Sequence, residues 1–205
     1  KQLPRVVIFG RTNTGKSTLF NSLTEDSRAL VSSAEGVTRD SNSGEMEWRG
    51  VEFELIDTGG IVDSLEKPFQ KQNSGKEKRN LLDKKIQEQS LAYLEKSEVI
   101  LFIVDTKTGI LPQDEQMAQF LKKRFRDTKK KIIVVANKAD KGRKDEPETA
   151  VFHQLGLGKP LPVSAATGSG TGDLLDEVVA SIPESSSSPL YSEEDENKKL
   201  SACII

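Results

Sequence analysis

Apolar positions along the chain follow two rhythms. Three unbroken runs, Val6–Phe9, Val99–Val104 and Ile132–Ala136, are apolar at every position. They predict strands buried on both faces, as in a parallel sheet. Elsewhere apolar residues recur at helical spacing. Thr18–Leu23 continues as a helix, and Ile86, Ser90, Tyr93 and Leu94 share one face of a second. Pro112 opens a third helix with Met117, Phe120, Leu121 and Phe125 facing inward. Leu174, Leu175, Val178, Val179 and Ile182 line a last helix that Pro183 stops. One region alternates with period two. Glu45–Trp48 and Val51–Ile56 flank Arg49-Gly50 and predict a β-hairpin with one polar face. Strands alternating with helices predict an α/β fold: a mostly parallel sheet, helices on both faces, and one antiparallel edge strand from the hairpin.

The polar stretches divide the chain. Residues 63–79 lack periodicity and are rich in Lys, Gln, Asn and Ser. They read as a flexible, mildly basic insertion, with an RNA or ribosome contact as the functional alternative. Lys141–Glu148 reads as a solvated charged loop. Residues 184–198 are Ser-rich and then acidic, a linker by composition. Lys199–Ile205 then repeats the pattern of Gln2–Ile8. Residues 1–183 are therefore expected to form one domain, and 199–205 to begin a second, similar one. The chain opens on Lys1 rather than Met and is expected to be a fragment.

Composition narrows the classes. Over 205 residues, 30% are charged and 35% hydrophobic, with a net charge of −2. That suits one polar α/β domain with a tail and gives no whole-chain argument for nucleic acid. No apolar run approaches the roughly 20 residues a membrane span needs, so no membrane partner is expected. Cys203 is the single cysteine, which excludes an internal disulfide. It is also third from the end, where a prenylation signal needs the fourth position. His153 has no Cys or His partner for a metal site and reads as a surface or packing residue.

The chemistry enters between the first strand and the first helix, at Gly10-Arg11-Thr12-Asn13-Thr14-Gly15-Lys16-Ser17-Thr18. G-x-x-x-x-G-K-S in this context is a phosphate-binding P-loop. Glycines let the backbone wrap an anion with its N–H groups pointing inward. Lys16 brings positive charge to the β- and γ-phosphates, and the Ser17 hydroxyl suits Mg²⁺. Asp57-Thr58-Gly59-Gly60-Ile61 ends the second hairpin strand. Asp57 is placed to hold Mg²⁺ through water, with the Gly60 N–H near the γ-phosphate. Thr38 lies in a loop able to reach both, which makes that loop a candidate switch. Asn137-Lys138-Ala139-Asp140 suits guanine. The amide can bond the O6/N7 edge, the Lys138 stem can lie along the ring, and the carboxylate can accept from N1–H and the 2-amino group. Adenine lacks those two donors, so an ATPase would have no use for the motif. Ser164-Ala165-Ala166 can offer a backbone N–H to O6.

Together these motifs, with GVTRD, LGLGKPLPVSA and the glycine-rich approach to the last helix, resemble the translation-factor-related GTPases. Within them the chain is most similar to the Der/EngA family of double-G-domain ribosome-assembly GTPases. The likeness covers about Arg5 to Pro183. It implies a small G-protein-like P-loop fold, GTP hydrolysis with Mg²⁺, ribosomal particles or rRNA as partners, and a second G domain. It also associates Asn13 with potassium-stimulated hydrolysis. Thr12 and Thr14 depart from the family's usual G-R-P-N-V-G-K-S, Glu35 replaces a proline, and the 63–79 insertion is longer than in bacterial members. Lys16, Thr38, Asp57, Gly60 and Asn13 are the expected catalytic set, with Asn13 the K⁺ ligand. Two rivals stand beside a large-subunit-assembly GTPase. One is a GTP-dependent binding module with negligible hydrolysis, encouraged by Ile61 where many GTPases carry a water-orienting glutamine. The other is a tRNA-modification GTPase. A cytoplasmic or organellar setting is expected, a plastid included.

Overall fold

The computed structural model describes residues 3–26, 42–58, 91–140 and 146–183. Thr38, Gly59, Gly60, Ile61, the 63–79 insertion, Ile86, Ser90, the 184–198 linker and 199–205 lie outside the described residues. Strand β1 (Arg5–Phe9) leads into helix α1 (Lys16–Asp26). The hairpin is β2 (Asn42–Trp48) and β3 (Val51–Asp57). Residues 91–96 are helical. Then come β4 (Val99–Asp105), α2 (Pro112–Phe125) and β5 (Lys131–Asn137). A helical turn Glu146–Thr149, a 3-10 turn Ala150–Leu155, β6 (Leu161–Val163) and α3 (Thr171–Ser181) complete the order. Among the described residues the strands form a six-stranded sheet, β2-β3-β1-β4-β5-β6, with only the β2–β3 pair antiparallel. The expected architecture is the observed one.

The unbroken apolar runs are explained by what covers the sheet. Alternate residues of each strand feed two cores. Val6, Ile8, Leu101, Ile103 and Val135 pack with Leu19 and Leu23 of α1 and Leu174 and Val178 of α3. Val7, Phe9, Ile100, Phe102 and Val134 pack with Leu94 and with Met117, Leu121 and Phe125 of α2. Phe120 and Val179, expected inward, are only partly buried at the margins of these cores. His153 is exposed on the 3-10 turn.

The hairpin is built by its turn. Arg49 and Gly50 both take positive φ, 50° and 79°, the two-residue turn whose twist suits paired strands. Trp48 Nε1 donates to Asp176 of α3 at 2.8 Å, and Arg49 bonds the same carboxylate at 2.8 Å. On the polar face the register sets Glu45 opposite Glu54 and Glu47 opposite Glu52. Arg5 offsets part of that charge through Glu54 at 2.9 Å.

Candidate nucleotide site

All five parallel strands point their C-terminal ends at one edge of the sheet, where open α/β sheets place ligands. The P-loop leaves β1 there. A cavity of about 540 Å³ is lined by Thr12, Asn13, Gly15, Lys16, Ser17, Thr18 and Lys138. Two glycines are fixed by close approach. A Cβ on Gly10 would lie 2.4 Å from the Ile103 carbonyl oxygen, and one on Gly15 would lie 2.4 Å from Asn137 Nδ2. The loop thus runs against β4 and against Asn137 with no room for a side chain.

Lys16 is buried and its Nζ donates to the Arg11 carbonyl at 2.7 Å. The same carbonyl accepts from Thr14 Oγ1 at 3.0 Å. Thr14, a departure from the resembling family, is therefore a buried brace within the loop. Ser17 Oγ donates to Asp57 Oδ2 at 2.7 Å, although the two lie forty residues apart in sequence. Thr58 Oγ1 donates to the Ile8 carbonyl at 2.6 Å and fixes the end of β3 against β1. Hydroxyl and carboxylate oxygens fit Mg²⁺, which takes its remaining ligands from water and phosphate rather than from a protein cage. No group of three or more His, Cys, Asp or Glu side chains among the described residues could hold a metal.

Asn137 is almost fully buried at the end of β5. Its Nδ2 donates to the Thr14 carbonyl at 2.8 Å, and its Oδ1 accepts the Ala165 N–H at 3.0 Å. One side chain so joins the P-loop to the turn after β6. An amide nitrogen carries two hydrogens, so one remains for a base edge. Of the N–H groups in the turn expected to offer one to O6, that of Ala165 is engaged by Asn137 and that of Ser164 by the Ser169 carbonyl. Lys138 takes a positive φ of 67° and its Nζ donates to the Asn13 carbonyl at 2.9 Å. It also pairs with Asp105 at 2.6 Å, which holds its stem along the cavity. Asp140 accepts from Ser164 Oγ at 3.1 Å and pairs with Lys107 at 2.7 Å. The Lys107 hydrogen bond, then that of Ser164, holds its carboxyl below the usual carboxylate range. Ala166 is exposed beside Ala165 in a second cavity of about 420 Å³, which Thr18 also lines.

Asn13 is exposed at φ 62°. Asparagine tolerates that left-handed conformation, and its side chain makes no hydrogen bond among the described residues.

Sequence reasoning missed one pair. Arg11 Nε lies 3.2 Å from Asp114 Oδ1 and donates to Oδ2 at 3.3 Å, and Asp114 is fully buried. Arg11 also bonds the Thr108 hydroxyl. Asp114 Oδ2 accepts the Leu111 N–H at 2.9 Å, while Oδ1 has no hydrogen-bond donor among the described residues. Burial pushes the Asp114 carboxyl above the usual carboxylate range, against the Leu111 and Arg11 bonds that favour the ion. The available signal was an acid three residues past the helix N-cap, a position that normally serves the cap.

The sequence profile described as "50S ribosome-binding GTPase" matches residues 5–138. The chain is 41% identical over 178 residues to GTPase Der of Porphyromonas gingivalis, covering 87% of this chain and 37% of that protein. It is 41% identical over 179 residues to GTPase Der of Thermoanaerobacter pseudethanolicus, again 87% and 37%. It thus spans little more than a third of the length of these relatives. Among solved structures, Aquifex aeolicus Era bound to GDP·AlF4⁻ is similar with TM-score 0.65 and 28% identity, over 94% of this chain and 60% of Era. Era in complex with MgGDPNP and nucleotides 1506–1542 of 16S ribosomal RNA gives TM-score 0.66 and 29% identity, over 94% and 60%.

Proposed function

The chain belongs to the 50S ribosome-binding GTPase family, and on that premise we propose that it is a slow GTP-hydrolysing switch acting in assembly of the large ribosomal subunit. The observation that carries the reading is Asn137, whose amide ties the P-loop carbonyl of Thr14 to the Ala165 turn. Phosphate grip and guanine recognition thereby form one site.

The reaction is attack of water on the γ-phosphate of GTP, giving GDP and inorganic phosphate. Lys16 brings its charge to the phosphates at the buried end of the cavity. Ser17 and Asp57 would hold Mg²⁺, which would neutralise phosphate charge. Asp140, kept ionised by Lys107 and Ser164, accepts the two N–H donors that only guanine offers. The switch elements carrying Thr38 and Gly60 supply the γ-phosphate contacts in this reading. Ile61 cannot orient water by hydrogen bonding, so intrinsic turnover is slow. Asn13, with its side chain free of hydrogen bonds among the described residues, offers an oxygen for a monovalent cation beside the phosphates. K⁺ held there would supply positive charge of the kind an arginine finger gives, an effect worth about 10³–10⁵ in rate for such fingers.

Single-turnover GTP hydrolysis in K⁺ and in Na⁺ at equal ionic strength, with and without 50S particles, tests this. Faster turnover in K⁺ is expected, with Asn13→Ala abolishing the difference while GTP still binds. Equal rates in both salts would move the missing charge to a partner. Negligible hydrolysis with particles present would instead leave a GTP-dependent binding module, the reading that Ile61 favours.

A further inference from the structure

We propose that the groove between the C-terminal turn of α2 and the start of β5 is a docking surface for the sugar–phosphate backbone of ribosomal RNA. This names the partner surface of the assembly role above and rests on that reading. Residues 122–131 hold seven cations and one carboxylate, in a chain whose net charge is −2. Three of the cations are internally engaged. Arg124 pairs with Glu95, Lys131 with Glu177 at 3.3 Å, and Lys130 bonds the Ser97 carbonyl and lies 5.3 Å from the Phe125 ring centre. Lys122, Lys123, Arg126 and Lys129 are exposed and make no ion pair or hydrogen bond among the described residues.

Three of those four, Lys122, Lys123 and Arg126, rim a single groove of about 770 Å³. Its floor includes Leu121, Phe125 and Leu157, and Asp127 is its one carboxylate. A recessed apolar floor between cations suits a ribose–phosphate chain, whose charges meet the rim while its sugars lie over the floor. A membrane fits less well. Val151 is the one large exposed hydrophobic side chain among the described residues, and it does not line this groove. The groove lies at the opposite end of β5 from Asn137. Seven residues rising about 3.3 Å each put some 20 Å between the groove and the base motif. RNA held there leaves the nucleotide cavity open.

Cations in the last turn of a helix also offset its macrodipole, and that use alone would account for Lys122 and Lys123. The two roles separate by experiment. Glutamine keeps good helix propensity, so Lys122→Gln/Lys123→Gln/Arg126→Gln in the 205-residue chain is compared with wild type. Binding to 50S particles and to purified large-subunit rRNA is followed by sedimentation across a KCl series. Affinity is expected to fall on the order of tenfold to a hundredfold, and the slope of log affinity against log salt to shrink by about two. Arg126→Gln alone, beyond the helix end, should shrink the slope by about 0.7. GTP affinity should be unchanged in both variants. Wild-type affinity and slope in the triple variant would overturn the proposal, even if its melting temperature drops. So would binding to nuclease-stripped particles or to anionic vesicles that matches binding to rRNA and is lost in the same variants. If wild type binds no particle at all, the assembly role fails and takes this surface with it. If it binds and the variants bind equally, only the groove is removed.

Discussion

Asp140 is exposed, held by Ser164 and Lys107, while Asn137 is buried between the P-loop and the Ala165 turn. The difference decides which of them can be changed. Asp140→Asn leaves the P-loop braces untouched and exchanges an acceptor for an amide that can donate. GTP affinity should fall about 10²–10⁴-fold and xanthosine triphosphate should become the preferred ligand. Competition between the two nucleotides on the variant checks this, and undiminished GTP affinity would remove the residue from base recognition. The sign of its pH dependence follows from the lowered carboxyl. The ion persists through mildly acid solution, so the part of GTP binding owed to it should vanish only as pH falls through that lowered value. Lys16→Ala and Ser17→Ala should each abolish tight GTP–Mg²⁺ binding, because both side chains face the cavity. Calorimetry showing wild-type affinity in either would contradict the P-loop reading. Unchanged melting temperature would confirm that they serve the ligand and not the core.

At the level of elements, Arg11 and Asp114 fasten the P-loop to the head of α2. Asp114→Ala strips a buried guanidinium of its partner, which should cost about 3 kcal/mol in chemical denaturation. Asp114→Asn keeps an acceptor for the Leu111 N–H and should cost less. Burial raises the Asp114 carboxyl in the fold, so the folded state binds its proton more tightly than the unfolded chain. Wild type should therefore gain stability relative to Asp114→Asn as pH falls through the carboxylate range. No spacing announces this pair, because 103 residues separate its members and only the crossing of β4 brings them together. The strands, by contrast, were legible. Val99–Val104 is apolar at each position because α1 and α3 cover one face of the sheet and α2 the other. Period-two alternation on either side of Arg49-Gly50 announced the hairpin. The P-loop was legible because its residues are adjacent, and its braces were not. The Asn137 bond to Thr14 and the Ser17 bond to Asp57 exist only once the strand ends meet.

At the scale of the molecule the sheet separates the two proposed surfaces, with the proposed nucleotide site at one end of the strands and, at the other, cations that make no ion pair among the described residues. Among the described residues its margins are β2 and β6. A strand at a margin presents unpaired backbone groups that any passing extended chain can extend. β6 is three residues long and carries Pro162, too short and too broken to serve as a template. β2 has seven residues and would be the exposed one. It is here that the facing glutamates, Glu45 with Glu54 and Glu47 with Glu52, acquire a use beyond the hairpin. Like charges set directly opposite weaken their own pair. A second molecule adding its own β2 alongside would bring further glutamates up against them. The hairpin gives up some of its own stability, and the same charges make β2 a poor seed for edge-to-edge stacking of nascent, crowded chains.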